Sequence, residues 1–171
     1  KRDIIWTKKE KEEQRMGSLY IESLLSELGI SKYDTSGNNT HIAGNVAHIQ
    51  TIFKINTASL IEKEGRFIVG LHPTPAVCGL PKADAYLLIK KAEQHQRRYY
   101  AGFIGPWQLK TSDIDDNKVS ELFVNLRCAE LGKTKINVYV GGGITASSNP
   151  HDEYQETVHK SKTLLSVVEN L

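Results

Sequence analysis

Residues 72–81 read His-Pro-Thr-Pro-Ala-Val-Cys-Gly-Leu-Pro, and this stretch limits the architecture of the chain more than any other. Each proline fixes its own φ and removes a backbone donor, and Thr74, ahead of Pro75, is held extended. Neither a continuous helix nor a central strand can pass through it. The chain must turn here, around a stiff corner kept slim by Ala76 and Cys78.

On either side of the corner the hydrophobic periodicity is ordinary. Met16, Leu19, Tyr20, Leu24, Leu25 and Leu28 recur at helical spacing, with Gly29 as a stop, so Thr7 to Leu28 is predicted as one amphipathic helix. "SKYDTSGNNT" reads as a turn-rich loop and "VAHIQTIFKI" alternates as a strand. A short helix is predicted around Ala58–Glu64. Pro81 and Asp84 open another that runs to about Gln94. Three strand-like runs follow, "YYAGFIGPW", "ELFVNLRCAEL" and "INVYVGG", and a last helix starts near Pro150. This order predicts an α+β fold with a largely antiparallel sheet.

With 171 residues, 39% hydrophobic and 25% charged, the chain has the size and composition of one globular domain. Its net charge of +2 comes from 22 basic and 20 acidic residues mixed along the sequence. No basic stripe points to nucleic acid or to an anionic membrane. No apolar run approaches the roughly 18 residues that span a bilayer. Cys78 and Cys128 lie far apart without metal-ligand spacing, which fits a reducing compartment and a cytoplasmic location. The opening "KRDIIWTKKEKEEQ" has no initiator Met and leads straight into a helix, so the chain reads as part of a longer protein.

Several places combine residues that carry chemistry. Glu13 falls in line with Met16, Tyr20 and Leu24, which makes it either a helix-end carboxylate reaching solvent or a carboxylate facing a metal. "VYVGGGITASSNP" runs from a strand through Gly141, Gly142 and Gly143 toward a helix start. Such a loop lets backbone N–H groups approach an anion, and it equally suits a bulge or a tight crossing. Ser148 or Asn149 can cap the last helix. Within that helix Glu153, Glu156 and Lys160 share one arc, as a solvated face with an i,i+4 pair or as oxygen ligands for a hard cation beside an ammonium. Arg127 is predicted to alternate with Phe123 and Asn125 on the middle strand, either solvated or gripping a carboxylate with its planar fork. His48 is either a strand-surface histidine or a pocket donor.

Taken together, "LHPTPAVCGLPK", "RRYYAGFIGPW", "VNLRCAEL" and "VYVGGGITASSNPHDEYQETVHK" occur in the order and spacing of the C-terminal part of chorismate-utilising enzymes, and the match extends from "KKEKEEQ" to the end. The sequence most closely resembles the isochorismate synthases. Anthranilate and aminodeoxychorismate synthases usually carry a "PxGTxSGAPK"-like segment, with threonine where this chain has Ala76, whereas isochorismate synthases carry the HPTPA form. The resemblance implies that residues 1–171 are the C-terminal portion of one chorismate-binding domain with the anthranilate synthase-like fold. It makes the proline corner an active-site wall.

It also implies roles for individual residues. Mg²⁺ would be held by Glu13 and Glu156, with Glu153 near the ion. Arg127, Lys160, Gly142 and Gly143 would hold substrate carboxylates, and His48 and Tyr100 would lie near the enolpyruvyl and ring groups. Gln14 departs from the pattern, since relatives commonly have His after the metal-binding Glu. The implied reaction adds water at C2 of chorismate and expels the C4 hydroxyl. Its lysine base and glutamate acid lie upstream of the matching segment in relatives, so no catalytic residue is assigned here and the chain alone is expected to be inactive. Menaquinone synthesis is the expected pathway. The alternatives are a siderophore-pathway isochorismate synthase, a salicylate synthase, which HPTPA disfavours, or a silent module that binds Mg²⁺ and chorismate or pairs with another chain. A fragment of this kind is expected to form a homodimer.

Overall fold

The computed structural model describes residues 4–43, 46–110 and 118–168. They form two compact units, Lys1–Tyr86 and Leu87–Leu171. In the first, α1 (Lys8–Glu27) begins at a reciprocal cap. The Thr7 hydroxyl accepts from the Glu10 N–H at 3.2 Å, and the Glu10 carboxylate accepts from the Thr7 N–H at 2.8 Å. The helix ends as its glycine predicts. Gly29 has φ 70°, and its N–H and that of Ile30 bond back to the carbonyls of Ser26 and Leu25. Leu24, Leu25, Leu28 and Ile30 are buried together, and partly buried Phe53, Phe67 and Leu71 pack against them.

The four strands of this unit form nested antiparallel pairs. β2 (Asn39–Ala43) pairs with β3 (Val46–Gln50), and outside them β1 (Tyr33–Thr35) pairs with β4 (Phe53–Ile55). Thus the segment expected as loop, 31–40, contributes strand, and the strand expected over 46–55 breaks at Thr51–Ile52. Polar side chains replace the ladder at the break: the Ile52 N–H donates to Ser36 Oγ and the Thr51 hydroxyl to Asn38 Oδ1. The helix expected around Ala58–Glu64 divides in two. Asn56 caps a 3₁₀ turn at Thr57–Leu60, and α2 (Glu64–Leu71) follows. The corner holds a single helical turn, α3 (Pro75–Cys78), and α4 (Lys82–Ala92) leads out of it. The His72–Pro73 and Leu80–Pro81 bonds are both cis. α1 packs on α2, α3 and β3.

In the second unit β5 (Phe103–Ile104) pairs with β8 (Phe123–Val124), and β6 (Leu109–Lys110) with β7 (Lys118–Val119). β9 (Cys128–Leu131) pairs with β10 (Ile136–Tyr139). α5 (Pro150–Val168) packs on β10. Its cap is Asn149, whose Oδ1 accepts from the N–H of His151 at 2.9 Å. The expected α+β composition and antiparallel pairing are present. The strands, however, form separate two-stranded pairs among the described residues, not one sheet. The strand runs are also shorter than their periodicity predicts. Tyr99–Ala101 form a turn, and the run over 121–131 breaks between β8 and β9. Arg127 sits at that break with φ 50°, so it does not alternate with Phe123 and Asn125 on a continuous strand. Cys78 and Cys128 are free thiols. Among the described residues no helix is long and apolar enough to cross a membrane.

Candidate functional site

The second unit gathers most of the residues singled out in the sequence around the loop after β10. A loop leaving a strand and entering a capped helix N-terminus exposes backbone groups to whatever the helix presents. Here the helix presents Glu153, Glu156 and Lys160. Glu153 is 7% exposed, the buried charged residue among those described. Its Oε2 lies 3.4 Å from the point a Cβ on Gly142 would occupy, so the missing side chain keeps the loop within reach of the carboxylate. Further along the helix, Lys160 Nζ pairs with Glu156 Oε1 at 2.6 Å and donates to the carbonyl of Gly141 at 3.1 Å. The i,i+4 pair is therefore also a tie between α5 and the glycine loop.

Tyr100 closes the other side of the loop. A Cβ on Gly141 would lie 2.6 Å from its hydroxyl oxygen, so no side chain fits there without displacing the ring. The ring stacks on Tyr139 at 5.8 Å between centroids, and the Arg97 guanidinium lies 5.7 Å from its centre. Arg97 is held in turn by Glu93, through bonds of 2.8 and 2.6 Å. These bonds to Arg97 hold the Glu93 carboxyl below the usual range, while burial raises the Tyr100 phenol. Next to them Glu130 pairs with Arg98 and accepts from the Tyr139 hydroxyl at 3.1 Å. Sequence reading found Gly141 as part of the glycine loop and Tyr100 through the resemblance, but missed Glu93 and Arg97. The four-residue spacing of Glu93 and Arg97 was the available signal.

The remaining candidates lie elsewhere. Arg127 is exposed on the bend between β8 and β9. Glu13 and His48 belong to the first unit. Glu13 is exposed on α1, 3.8 Å from Lys9, and His48 is exposed on β3 directly opposite His41. In that unit Thr74, Pro75 and Ala76 of the proline corner line a cavity of about 160 Å³ together with Gln14 and Tyr20 of α1 and Thr51. Gln14 donates to the Thr51 hydroxyl at 2.9 Å.

The family described as chorismate binding enzyme matches residues 1–169. The chain belongs to this family. Among curated relatives, it is 41% identical over 96 residues to the vibriobactin-specific isochorismate synthase of Vibrio cholerae serotype O1, covering 56% of this chain and 22% of that protein. It is 35% identical over 118 residues to isochorismate synthase DhbC of Bacillus subtilis, covering 69% and 28%. It is 27% identical over 164 residues to isochorismate synthase EntC of Escherichia coli K12, covering 96% and 40%. The chain thus spans well under half the length of these relatives.

Proposed function

We propose that this chain supplies the metal- and carboxylate-binding part of an isochorismate synthase, which interconverts chorismate and isochorismate. The observation that carries the proposal is Lys160, whose ammonium joins the Gly141 carbonyl to Glu156 beside the buried Glu153. This arrangement offers a cation and backbone groups to a substrate carboxylate, and two carboxylates to a metal. Membership of a chorismate binding enzyme family and similarity to three isochorismate synthases support the same reading.

Among the described residues no cluster of three or more His, Cys, Asp or Glu side chains stands ready for a metal. The donors nonetheless fit Mg²⁺, which takes one or two carboxylates and completes its shell with water and substrate oxygens. As the resemblance implies, Glu13 and Glu156 are proposed to hold it, with Glu153 near the ion. When bound, Mg²⁺ would neutralise charge on the substrate carboxylate. Arg127, Lys160 and the Gly142–Gly143 backbone are proposed to orient the substrate, with His48 and Tyr100 at its enolpyruvyl and ring ends. The net change is an isomerisation: water adds at C2 while the C4 hydroxyl leaves with a proton as water. Because the resemblance puts the lysine base and glutamate acid outside these residues, the chain alone is expected to turn nothing over. Menaquinone synthesis is the proposed use. A vibriobactin-specific relative matches 56% of this chain, so neighbouring genes must decide the pathway.

In the natural polypeptide that contains these residues, Glu156→Gln should abolish Mg²⁺-dependent formation of isochorismate while leaving the fold intact. Arg127→Lys should lower kcat/KM about tenfold, as a bidentate grip becomes a point contact. Full activity in Glu156→Gln would sink the assignment. Retained chorismate and Mg²⁺ binding without turnover in the unmodified polypeptide would favour the silent binding module.

A further inference from the structure

α2 ends at Leu71, and the cap N–H of His72 reaches back to the carbonyls of Ile68 and Val69 but not to that of Gly70. The carbonyl of Gly70, in the last turn, and that of His72, just beyond it, are met by one side chain from the far side of the proline corner. Lys82 Nζ donates to the carbonyl of His72 at 2.8 Å, to that of Gly70 at 3.1 Å and to the Tyr20 hydroxyl at 3.0 Å. The Tyr20 hydroxyl donates to the same Gly70 carbonyl at 2.6 Å, and the ammonium lies 5.4 Å from the centre of the Tyr20 ring. An ammonium has three protons, and all three are used. Its charge also sits at the negative end of the α2 dipole.

These bonds close the chain between Gly70 and Lys82 into a loop and pin it to α1. Inside that loop are Thr74, Pro75 and Ala76, which wall the cavity described above, and Tyr20 lines it from the α1 side. The prolines fix local backbone angles, but they do not set where the loop lies against α1. Lys82 does, because its three acceptors come from α1, from α2 and from the residue that enters the corner.

We propose that Lys82 is a positioning residue that sets the shape of the proline corner, and through it the substrate-facing wall of the cavity; the second half of this statement rests on the isochorismate synthase reading. Lys82 acts through the wall and not on reacting atoms, so its loss should weaken substrate binding more than turnover. Arginine keeps the charge, but its planar fork cannot direct three bonds to acceptors arranged around one nitrogen.

The test compares Lys82→Met, Lys82→Arg and Tyr20→Phe in the natural polypeptide by hydrogen exchange and by chorismate kinetics. In Lys82→Met the amides of Val77, Cys78 and Gly79, which bond within the corner to Thr74 and Pro75, should exchange about tenfold faster or more, while that of Val138 in β10 is unchanged. KM for chorismate should rise about fivefold or more with kcat held within about twofold, and Lys82→Arg should recover only part of the loss. Tyr20→Phe should give a smaller change in the same direction, and it reads the same contact if Lys82→Met does not fold. Unchanged exchange at the corner overturns the proposal. Faster exchange with an unaltered KM overturns the link to the substrate. If the unsubstituted polypeptide converts no chorismate, the functional reading has failed, and exchange alone decides the positioning role.

Discussion

Gly141 is a position where one methyl group should matter. Alanine there would place its Cβ 2.6 Å from the Tyr100 oxygen, closer than any real contact. Tyr100 is gripped by Tyr139 and Arg97, so the loop has to yield, and it carries the carbonyl that anchors Lys160. Gly141→Ala should therefore raise KM for chorismate about tenfold in the natural polypeptide, since small misplacements of a binding group are costly. Tyr100→Phe removes the clashing oxygen, so against a Tyr100→Phe background Gly141→Ala should raise KM far less. If Gly141→Ala alone binds chorismate normally, the loop is not part of the substrate site. The residues of α5 were legible because Glu153, Glu156 and Lys160 recur at helical spacing, and the loop was legible as three glycines after a strand. The dependence of that loop on Tyr100, Arg97 and Glu93 was not, because a turn at 99–101, which strand periodicity masks, delivers the ring.

At the scale of elements, the helices were easier to read than the strands, and the reason is where their bonds are made. A helix satisfies its backbone within itself, so periodicity and caps fix its limits; α1 starts at Thr7 and stops at Gly29 as its sequence predicts. Strand ends depend on partners. β3 and β4 alternate as one strand in sequence but separate at Thr51, where the side chains of Ser36 and Asn38 take over from the ladder. Arg127 likewise sits outside the strand on which alternation placed it, in a left-handed conformation that ends the run. Lys82 gave no signal at all, since its three acceptors are distant in sequence. The capping box makes α1 testable on its own terms. Thr7→Ala removes the acceptor for the Glu10 N–H and a partner of the Glu10 carboxylate, whose pKa is lowered chiefly by that hydroxyl. It should cost about 1 kcal/mol of stability, read by denaturant unfolding, with Thr7→Ser close to neutral. Equal midpoints for Thr7→Ala and the unsubstituted chain would show that the cap is replaced by water at no cost.

Across the molecule, the buried core of the described residues is small and lies mainly at the C-terminal end of α1, where Leu25 is fully buried. The second unit keeps large apolar side chains in the open. Phe103 faces Val124 and Ile104 faces Phe123 in the β5–β8 register, and all four are exposed. Successive residues of a strand point to opposite faces, so both faces of this pair carry exposed apolar side chains. Exposed apolar ribbons with open edges recruit partners. When the 171-residue chain is produced by itself, the partner at hand is a second copy, and a two-fold pairing of identical patches is the simplest closed arrangement. The chain should therefore sediment as a dimer or larger species at micromolar concentration, and Ile104→Lys combined with Val124→Lys, which stand on opposite faces of the pair, should shift it toward monomer, because a charge on each face opposes burial there. Circular dichroism of the double variant checks that the helices persist. A monomer across the whole concentration range would show that these exposed side chains recruit no second copy, and a dimer indifferent to both lysines would place the association surface elsewhere.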